Sequence, residues 1–244
     1  MSDTLKSIWF AAVTALISSL LLTGAAQGLK EYRLTNKRID NQKNLLKSVG
    51  LIRAGARYSN KAIENLYDQN IRSYRTDSAG FISPQGAAAS EGRPIFLYVK
   101  DNTIRAYILP LRSRGLWGKI DGYLALENDG RTVTGFTVYN HSETPGLGGE
   151  IETQWFQDNF RGKKIVDPAG RFVSVGITKG RVADRIAPES QANFVDGISG
   201  ATLTGRFLTE GLRDTLQAYE PLSANFRQDR INLRKDTTGK KGSP

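Results

Sequence analysis

The sequence predicts an α+β protein in which a single N-terminal transmembrane helix is followed by a mixed domain with antiparallel hairpins and flanking helices. Two observations carry this prediction: an uncharged apolar run over residues 7–29, and strand-like segments that come in pairs around turn residues. With 244 residues, 39% of them hydrophobic and 24% charged, the chain is long enough for one ordinary domain and an addition.

Composition excludes several chemistries before any motif is considered. The chain has no cysteine and one histidine, which excludes disulfides, iron–sulfur clusters, thiol catalysis and metal sites built on several imidazoles. Any redox chemistry must therefore come from an organic cofactor. The net charge of +10 suggests that the chain binds nucleic acid, an anionic membrane surface or an acidic protein partner. The basic residues cluster just after the apolar run without interleaved aromatic residues, which argues against nucleic acid.

The first predicted element is a membrane anchor within residues 1–29. A helix over residues 7–29 would be about 34 Å long at about 1.5 Å per residue, enough to cross a bilayer core. A cleaved signal peptide is the rival, because residues 23–27 offer small side chains after the apolar stretch. The length and flanks favour a retained anchor in contact with membrane lipid.

Residues 30–93 are predicted to form a basic helical linker and a loop. Apolar residues at 63, 66, 67 and 71 recur at helical spacing after Asn60, a plausible N-cap. Residues 76–93 are rich in Ser, Gly, Ala and Pro, which is typical of a loop.

The main domain is predicted to span residues 94–233. Residues 94–100 and 103–109 form one hairpin around an Asp-Asn turn, and residues 119–127 and 131–139 form a second around Asn-Asp-Gly. A short helix at 151–160, a strand at 172–178 and a helix at 204–219 follow. The tail at 234–244 has no apolar residue and is predicted to be disordered.

The segment at 196–204 (DGISGATLT) is the first candidate site. Its glycines let a backbone approach a ligand closely, and the helix that follows presents free N–H groups and a partial positive charge. Such a turn suits a phosphate. The plainer interpretation is a loop with a Ser/Thr helix cap.

The segment at 141–150 (HSETPGLGGE) is the second candidate. It follows a strand and is too rich in glycine for regular structure, so it could fold over a flat ligand or form a wide surface turn. Its Gly-Leu-Gly-Gly lacks the spacing of a dinucleotide-binding fingerprint.

Both segments resemble signatures of one family. DGISGATLT resembles the flavinylation motif of FMN-binding membrane subunits, and HSETPGLGGE resembles the second signature of that family. The pieces GLWG at 115–118 and DGYLAL at 121–126 are similar to the C subunits of Na⁺-translocating NADH:quinone reductases. The resemblance runs over residues 95–219. Gly205 departs from it, since a polar residue is expected there.

The resemblance implies a set of cofactor-binding residues. It implies covalent FMN, esterified through its phosphate to Thr204 by an exported flavin transferase. The motif contributes Ser199, Gly200, Ala201, Thr202, Leu203 and Asp196, the last holding the loop or assisting recognition by the transferase. Ring contacts are expected from Glu143, Thr144, Leu147, Gly148 and Trp117, although a tryptophan between strands is usually part of the core. No catalytic residue and no metal ligand is predicted.

The implied function is that of a one-electron relay within a larger complex. The partners would be the other subunits of a membrane complex that couples NADH oxidation and quinone reduction to sodium export. The resemblance places the flavin domain on the periplasmic side of the bacterial inner membrane, whereas the basic flank after the anchor favours the cytoplasm. Two alternatives remain: the G subunit of an Rnf-type complex, which shares the motif, and a membrane-anchored binding module without redox function.

Overall fold

The N-terminal unit contains a long exposed helix. The computed structural model describes residues 2–53, 55–84 and 92–231, and its contacts divide the chain into residues 1–41 and 42–244. Helix α1 (Asp3–Gly28) has 26 residues, none of them buried, and is long and apolar enough to cross a membrane. Helix α2 (Lys30–Ser48) follows it.

The second unit combines one large antiparallel sheet with short helices. Its helices are the end of α2, α3 (Asn60–Asn70), α4 (Gln154–Asp158), α5 (Val182–Arg185), α6 (Thr202–Ala218) and α7 (Glu220–Arg227), with 3₁₀ turns at Gly148–Glu152 and Pro188–Asn193. Its strands are β1 (Ile71–Thr76), β2 (Ile82–Pro84), β3 (Arg93–Lys100), β4 (Thr103–Arg114), β5 (Lys119–Glu127), β6 (Val133–Asn140), β7 (Gly176–Ile177) and β8 (Phe194–Val195).

Strands β1 to β6 form a single six-stranded sheet in the order β2-β1-β3-β4-β5-β6, and every pair is antiparallel. The α+β class and the antiparallel hairpins are therefore confirmed. The sheet is more continuous than predicted, because β4 extends to Arg114 and pairs with β5 from Ala106 to Arg114. Strands β7 and β8 form a separate parallel pair.

Helix α6 lies across β4, and a glycine makes this close crossing possible. A Cβ atom on Gly211 would come 3.0 Å from the Cα of Ser113, so only glycine lets the helix backbone approach the strand this closely. The Ser113 hydroxyl donates a hydrogen bond of 2.8 Å to the carbonyl of Phe207. Because Ser113 is near the end of β4, the first turns of α6 lie at the end of the sheet where β4 turns into β5.

The core between the sheet and the helices that cover it is largely aromatic and aliphatic. Tyr107 is fully buried, stacks on Phe226 at 4.2 Å between ring centroids and donates a 2.8 Å hydrogen bond to Ser223. Phe136 stacks on Phe160 at 4.2 Å. These contacts attach α7 and the segment after α4 to the sheet.

Several local expectations differ from the structure. Ser59, not Asn60, caps α3, its hydroxyl accepting a hydrogen bond from the Ala62 N–H. The expected strand at 172–178 is reduced to β7, because its earlier residues make only an isolated bridge between Val166 and Phe172.

The expected boundary at residue 94 does not coincide with the division seen in the structure. Strands β1 and β2 lie within the expected linker and loop but pair with the sheet. Alternation is weak in both strands, and β2 has three residues, so neither gave a clear signal. The expected disordered tail at 234–244 lies outside the described residues.

Candidate functional site

The first turn of α6 offers unpaired backbone donors. Its N-cap is Ala201, whose side chain cannot cap, and the first intrahelical bond runs from the Gly205 N–H to the Ala201 carbonyl at 3.0 Å. The N–H groups of Thr202, Leu203 and Thr204 therefore have no intrahelical carbonyl to bond. A Ser/Thr cap, the plainer interpretation of this segment, is not what the structure contains.

Thr204 lies at the floor of a pocket beside this helix start. Its side chain is 2% exposed, and its hydroxyl donates a hydrogen bond to the Glu143 carboxylate. These two residues are 61 positions apart in the sequence, so the fold alone brings them together.

Glu143 connects three parts of the site. It is 5% exposed, and its second carboxylate oxygen accepts a 3.0 Å hydrogen bond from the backbone N–H of Trp117, in the turn between β4 and β5. Its own N–H donates to Nδ1 of His141 at 3.1 Å, while Nε2 of that ring lies 3.2 Å from Glu152. The carboxylate is thereby fixed in one orientation.

The loop after β6 is folded back on itself by backbone bonds. The carbonyl of Thr144 accepts hydrogen bonds from the N–H groups of Leu147, at 3.2 Å, and Gly149, at 2.9 Å. Gly148 lies directly beneath Glu143 and Thr204: a Cβ atom there would be 2.5 Å from the Thr204 hydroxyl oxygen and 2.7 Å from a Glu143 oxygen. The loop therefore packs against Glu143 and Thr204 with no space for a side chain at Gly148.

These elements enclose a pocket of about 310 Å³, within the ~300–1,000 Å³ range of small-molecule sites. Its mouth carries four exposed apolar side chains, and its floor is polar. The lining residues are Leu116, Trp117, Glu143, Thr144, Leu147, Gly148, Gly200, Ala201, Thr202, Leu203 and Thr204. Apolar walls that face a helix N-terminus suit a flat ring joined to a phosphate.

Ten of the twelve residues expected from the sequence line this pocket. The other two are Asp196, which accepts a 2.6 Å hydrogen bond from the Val182 N–H, and Ser199, which is exposed. Leu116 lines the pocket but was not expected from the sequence; its position beside Trp117 in the glycine-flanked turn was the available signal. Trp117, an expected ring contact, lines the pocket and is 69% exposed, so it does not take the core position that is usual for a tryptophan between strands.

A larger cavity of about 390 Å³ borders a different face of α6. It contains Thr209 and Arg213, and it shares Ala201 and Thr202 with the first pocket but does not reach Thr204. Over the part of the chain that the structure describes, no cluster of three or more His, Cys, Asp or Glu side chains could hold a metal ion.

Comparison with known proteins identifies similar chains. The family model for the FMN-binding domain matches residues 115–217, a range that contains Trp117, Glu143 and Thr204. The chain is 32% identical to the C subunit of the Na⁺-translocating NADH-quinone reductase of Pseudomonas aeruginosa, covering 93% of this chain and 97% of that protein. It is 30% identical to the corresponding C subunit of Yersinia pestis, covering 82% and 83%. The crystal structure of the C subunit from Parabacteroides distasonis superposes with a TM-score of 0.67 at 28% identity, covering 80% of this chain and 96% of that one.

Proposed function

Because this chain belongs to the family of C subunits of Na⁺-translocating NADH-quinone reductases, we propose that it carries FMN as a phosphoester on Thr204 and relays electrons one at a time within that complex. The observation that carries the proposal is the position of the Thr204 hydroxyl, on the floor of a pocket and beside the unpaired N–H groups of a helix start.

The chemistry of the pocket fits such a group. A phosphodiester carries one negative charge, which the N–H groups and dipole of α6 stabilise by roughly 0.3–1 kcal/mol or more. Leu116, Trp117, Leu147 and Leu203 supply apolar surface for an isoalloxazine ring. With no cysteine and a single histidine in the chain, an ester to a hydroxyl is among the few covalent flavin linkages available.

Attachment determines the role of the chain. A bound flavin supplies one-electron transfer, and a tethered one cannot diffuse, so it serves as a relay between neighbouring centres. Residues 7–29 contain no ionisable side chain, so the apolar helix offers no sodium pathway. Binding of NADH, sodium and quinone is assigned to the other subunits. Since the matching relatives are C subunits of the sodium-translocating reductase, this complex is favoured over an Rnf-type one.

The test is an intact mass of the protein purified from its native membrane, followed by peptide mapping. We expect a gain of one FMN minus one water, located on Thr204. Thr204→Val should abolish the gain, whereas Thr215→Val, farther along the same helix, should keep it. An unmodified wild-type mass from cells that contain the transferase would contradict the proposal and favour an anchored binding module.

The orientation of the flavin domain is part of the proposal. We assign it to the periplasm, because Thr204 must meet an exported transferase, and a domain of this size can be translocated despite its basic flank. Protease added to intact spheroplasts should therefore cut the domain. Survival there, with cleavage only after lysis, would put the domain in the cytoplasm.

A further inference from the structure

The Thr204 hydroxyl already has a proton acceptor built into its own chain. We propose that Glu143 is the general base that takes the Thr204 proton as FMN is attached, and that it keeps this proton in the finished protein. This inference rests on the proposed function. It goes further by assigning a catalytic residue for attachment to the acceptor chain itself.

The geometry meets the first requirement of a general base, which is hydrogen-bond reach to the proton that it removes. The Thr204 hydroxyl donates to a Glu143 carboxylate oxygen in the structure. An alcohol is a weak nucleophile until a base accepts its proton as the new bond forms. The carboxylate is held for this task by the Trp117 N–H on its other oxygen.

Burial makes an external base difficult to supply. Thr204 is 2% exposed and Glu143 is 5% exposed, so an enzyme docking on this domain would have to displace the carboxylate before its own base could reach the hydroxyl proton. Among the described residues that line the pocket, Glu143 alone is ionisable. The backbone N–H of Glu143 bonds His141, and the other ring nitrogen of that histidine faces Glu152 at 3.2 Å.

The step balances with a flavin adenine dinucleotide as donor. The Thr204 hydroxyl oxygen bonds to the phosphorus on the FMN side, and the bond from that phosphorus to the bridging oxygen breaks. AMP leaves with the bonding electron pair, and the proton passes to Glu143. Nothing is oxidised or reduced.

The product gives a reason for the proton to stay. An ionised Glu143 beside the new diester would place two negative charges together in a buried site, which favours the neutral form of the carboxyl group. A neutral carboxylic acid can donate a hydrogen bond, and the diester oxygens accept one. The base of the attachment step thus becomes a donor to its product.

The test measures the initial rate of FMN incorporation by mass, using the full chain in detergent with purified flavin transferase and FAD at several pH values. We expect Glu143→Gln to slow incorporation by about 100-fold or more. The wild-type rate should fall at acid pH as a carboxylate is protonated, and this acidic limb should be missing in Glu143→Gln. Glu143→Asp should be at least about tenfold faster than Glu143→Gln.

The matched control is Glu150→Gln, a nearby glutamate whose carboxylate bonds the Trp155 indole at 3.4 Å. It should leave the rate and its pH profile unchanged. A Glu143→Gln rate within twofold of wild type would overturn the inference while leaving FMN on Thr204. A wild-type chain that gains no mass would instead overturn the proposed function.

A second measurement does not depend on a variant that folds. The infrared difference between modified and unmodified wild-type protein should contain the carbonyl band of a new neutral carboxylic acid, shifted when glutamate is labelled with ¹³C. If no such band forms on modification, Glu143 does not keep the proton.

Discussion

At the scale of single residues, Gly148 marks how tightly the pocket floor is packed. Its backbone does not need glycine for its conformation, but an added Cβ would meet the Thr204 and Glu143 oxygens at 2.5 and 2.7 Å. The hydrogen-bonded pair of Thr204 and Glu143 can therefore lie directly above the loop only because position 148 has no side chain.

Gly148→Ala should separate that pair. We expect FMN incorporation to fall at least about tenfold, with a loss of about 1–3 kcal/mol in the free energy of unfolding from overpacking. Peptide mass and urea denaturation measure the two effects. Gly205→Ala, on another face of α6, is the control. Normal incorporation in Gly148→Ala would mean that the loop yields without disturbing the hydroxyl.

Sequence reasoning found most of the pocket residues but not their connections. Small residues before a helix, and a glycine-rich loop after a strand, are local signals and could be read directly. The bond between Glu143 and Thr204 is a product of the tertiary fold, so the sequence suggested only a ring contact for Glu143. Trp117 was expected as a ring contact even though a tryptophan between strands is usually buried, and the structure holds it at the surface in a glycine-flanked turn.

At the scale of secondary-structure elements, α6 contains two glycines with opposite environments. A Cβ on Gly205 would lie 3.3 Å from a methyl group of Ile177, a partly exposed side chain that lines the 390 Å³ cavity and has room there to shift by a few tenths of an ångström. A Cβ on Gly211 would lie 3.0 Å from the Cα of Ser113 and closer still to its side chain. At Gly205 the helix faces a side chain that can shift, whereas at Gly211 it is packed directly against the backbone of β4.

Alanine at these two positions should therefore have effects of opposite sign. Gly205→Ala should raise the free energy of unfolding by about 0.5–1 kcal/mol, because alanine favours helix. Gly211→Ala should lower it by about 1–3 kcal/mol, because β4 must move away. Chemical denaturation of the two variants measures both, and a stabilising Gly211→Ala would contradict the close crossing.

The strands of the sheet could be predicted where clear turn residues connect them, and they were missed where the strands are short. Strands β3 to β6 follow one another around Asp-Asn, glycine-flanked and Asn-Asp-Gly turns, so their pairing is local. Strand β1 instead pairs with β3 across an intervening segment, and a loop-like composition around β2 concealed that partner. Long-range pairing leaves little trace in a single sequence.

At the scale of the whole molecule, buried tyrosines join the sheet to its covering helices. Tyr107 bonds Ser223 of α7, and Tyr219 at the end of α6 donates to the Pro94 carbonyl at 2.7 Å. Burial raises the pKa of Tyr107 and Tyr123 well above the usual range and raises the pKa of Tyr219 to about 12. Folding therefore stabilises the protonated, neutral form of these three tyrosine side chains.

Stability should consequently decline at alkaline pH. The unfolded chain releases phenol protons near pH 10 and the folded domain only at higher pH, so the tyrosine contribution is complete below pH ~10 and is lost as pH rises through ~12. Urea denaturation of the detergent-solubilised chain should give a free energy of unfolding that falls over this window. Tyr219→Phe should flatten the fall, and an unchanged slope in that variant would contradict the assignment.

The burial of Thr204 has a consequence for the fidelity of maturation. Three hydroxyls lie within six residues: Ser199 and Thr202 are exposed, whereas Thr204 is 2% exposed and alone bonds a carboxylate. A modifying enzyme that chose by accessibility would select one of the first two. On the proposed chemistry, the folded domain makes that choice instead, by leaving the accessible hydroxyls inert and activating the hidden one. Regioselectivity is then a property of the substrate's tertiary structure, and the same peptide unfolded should lose it.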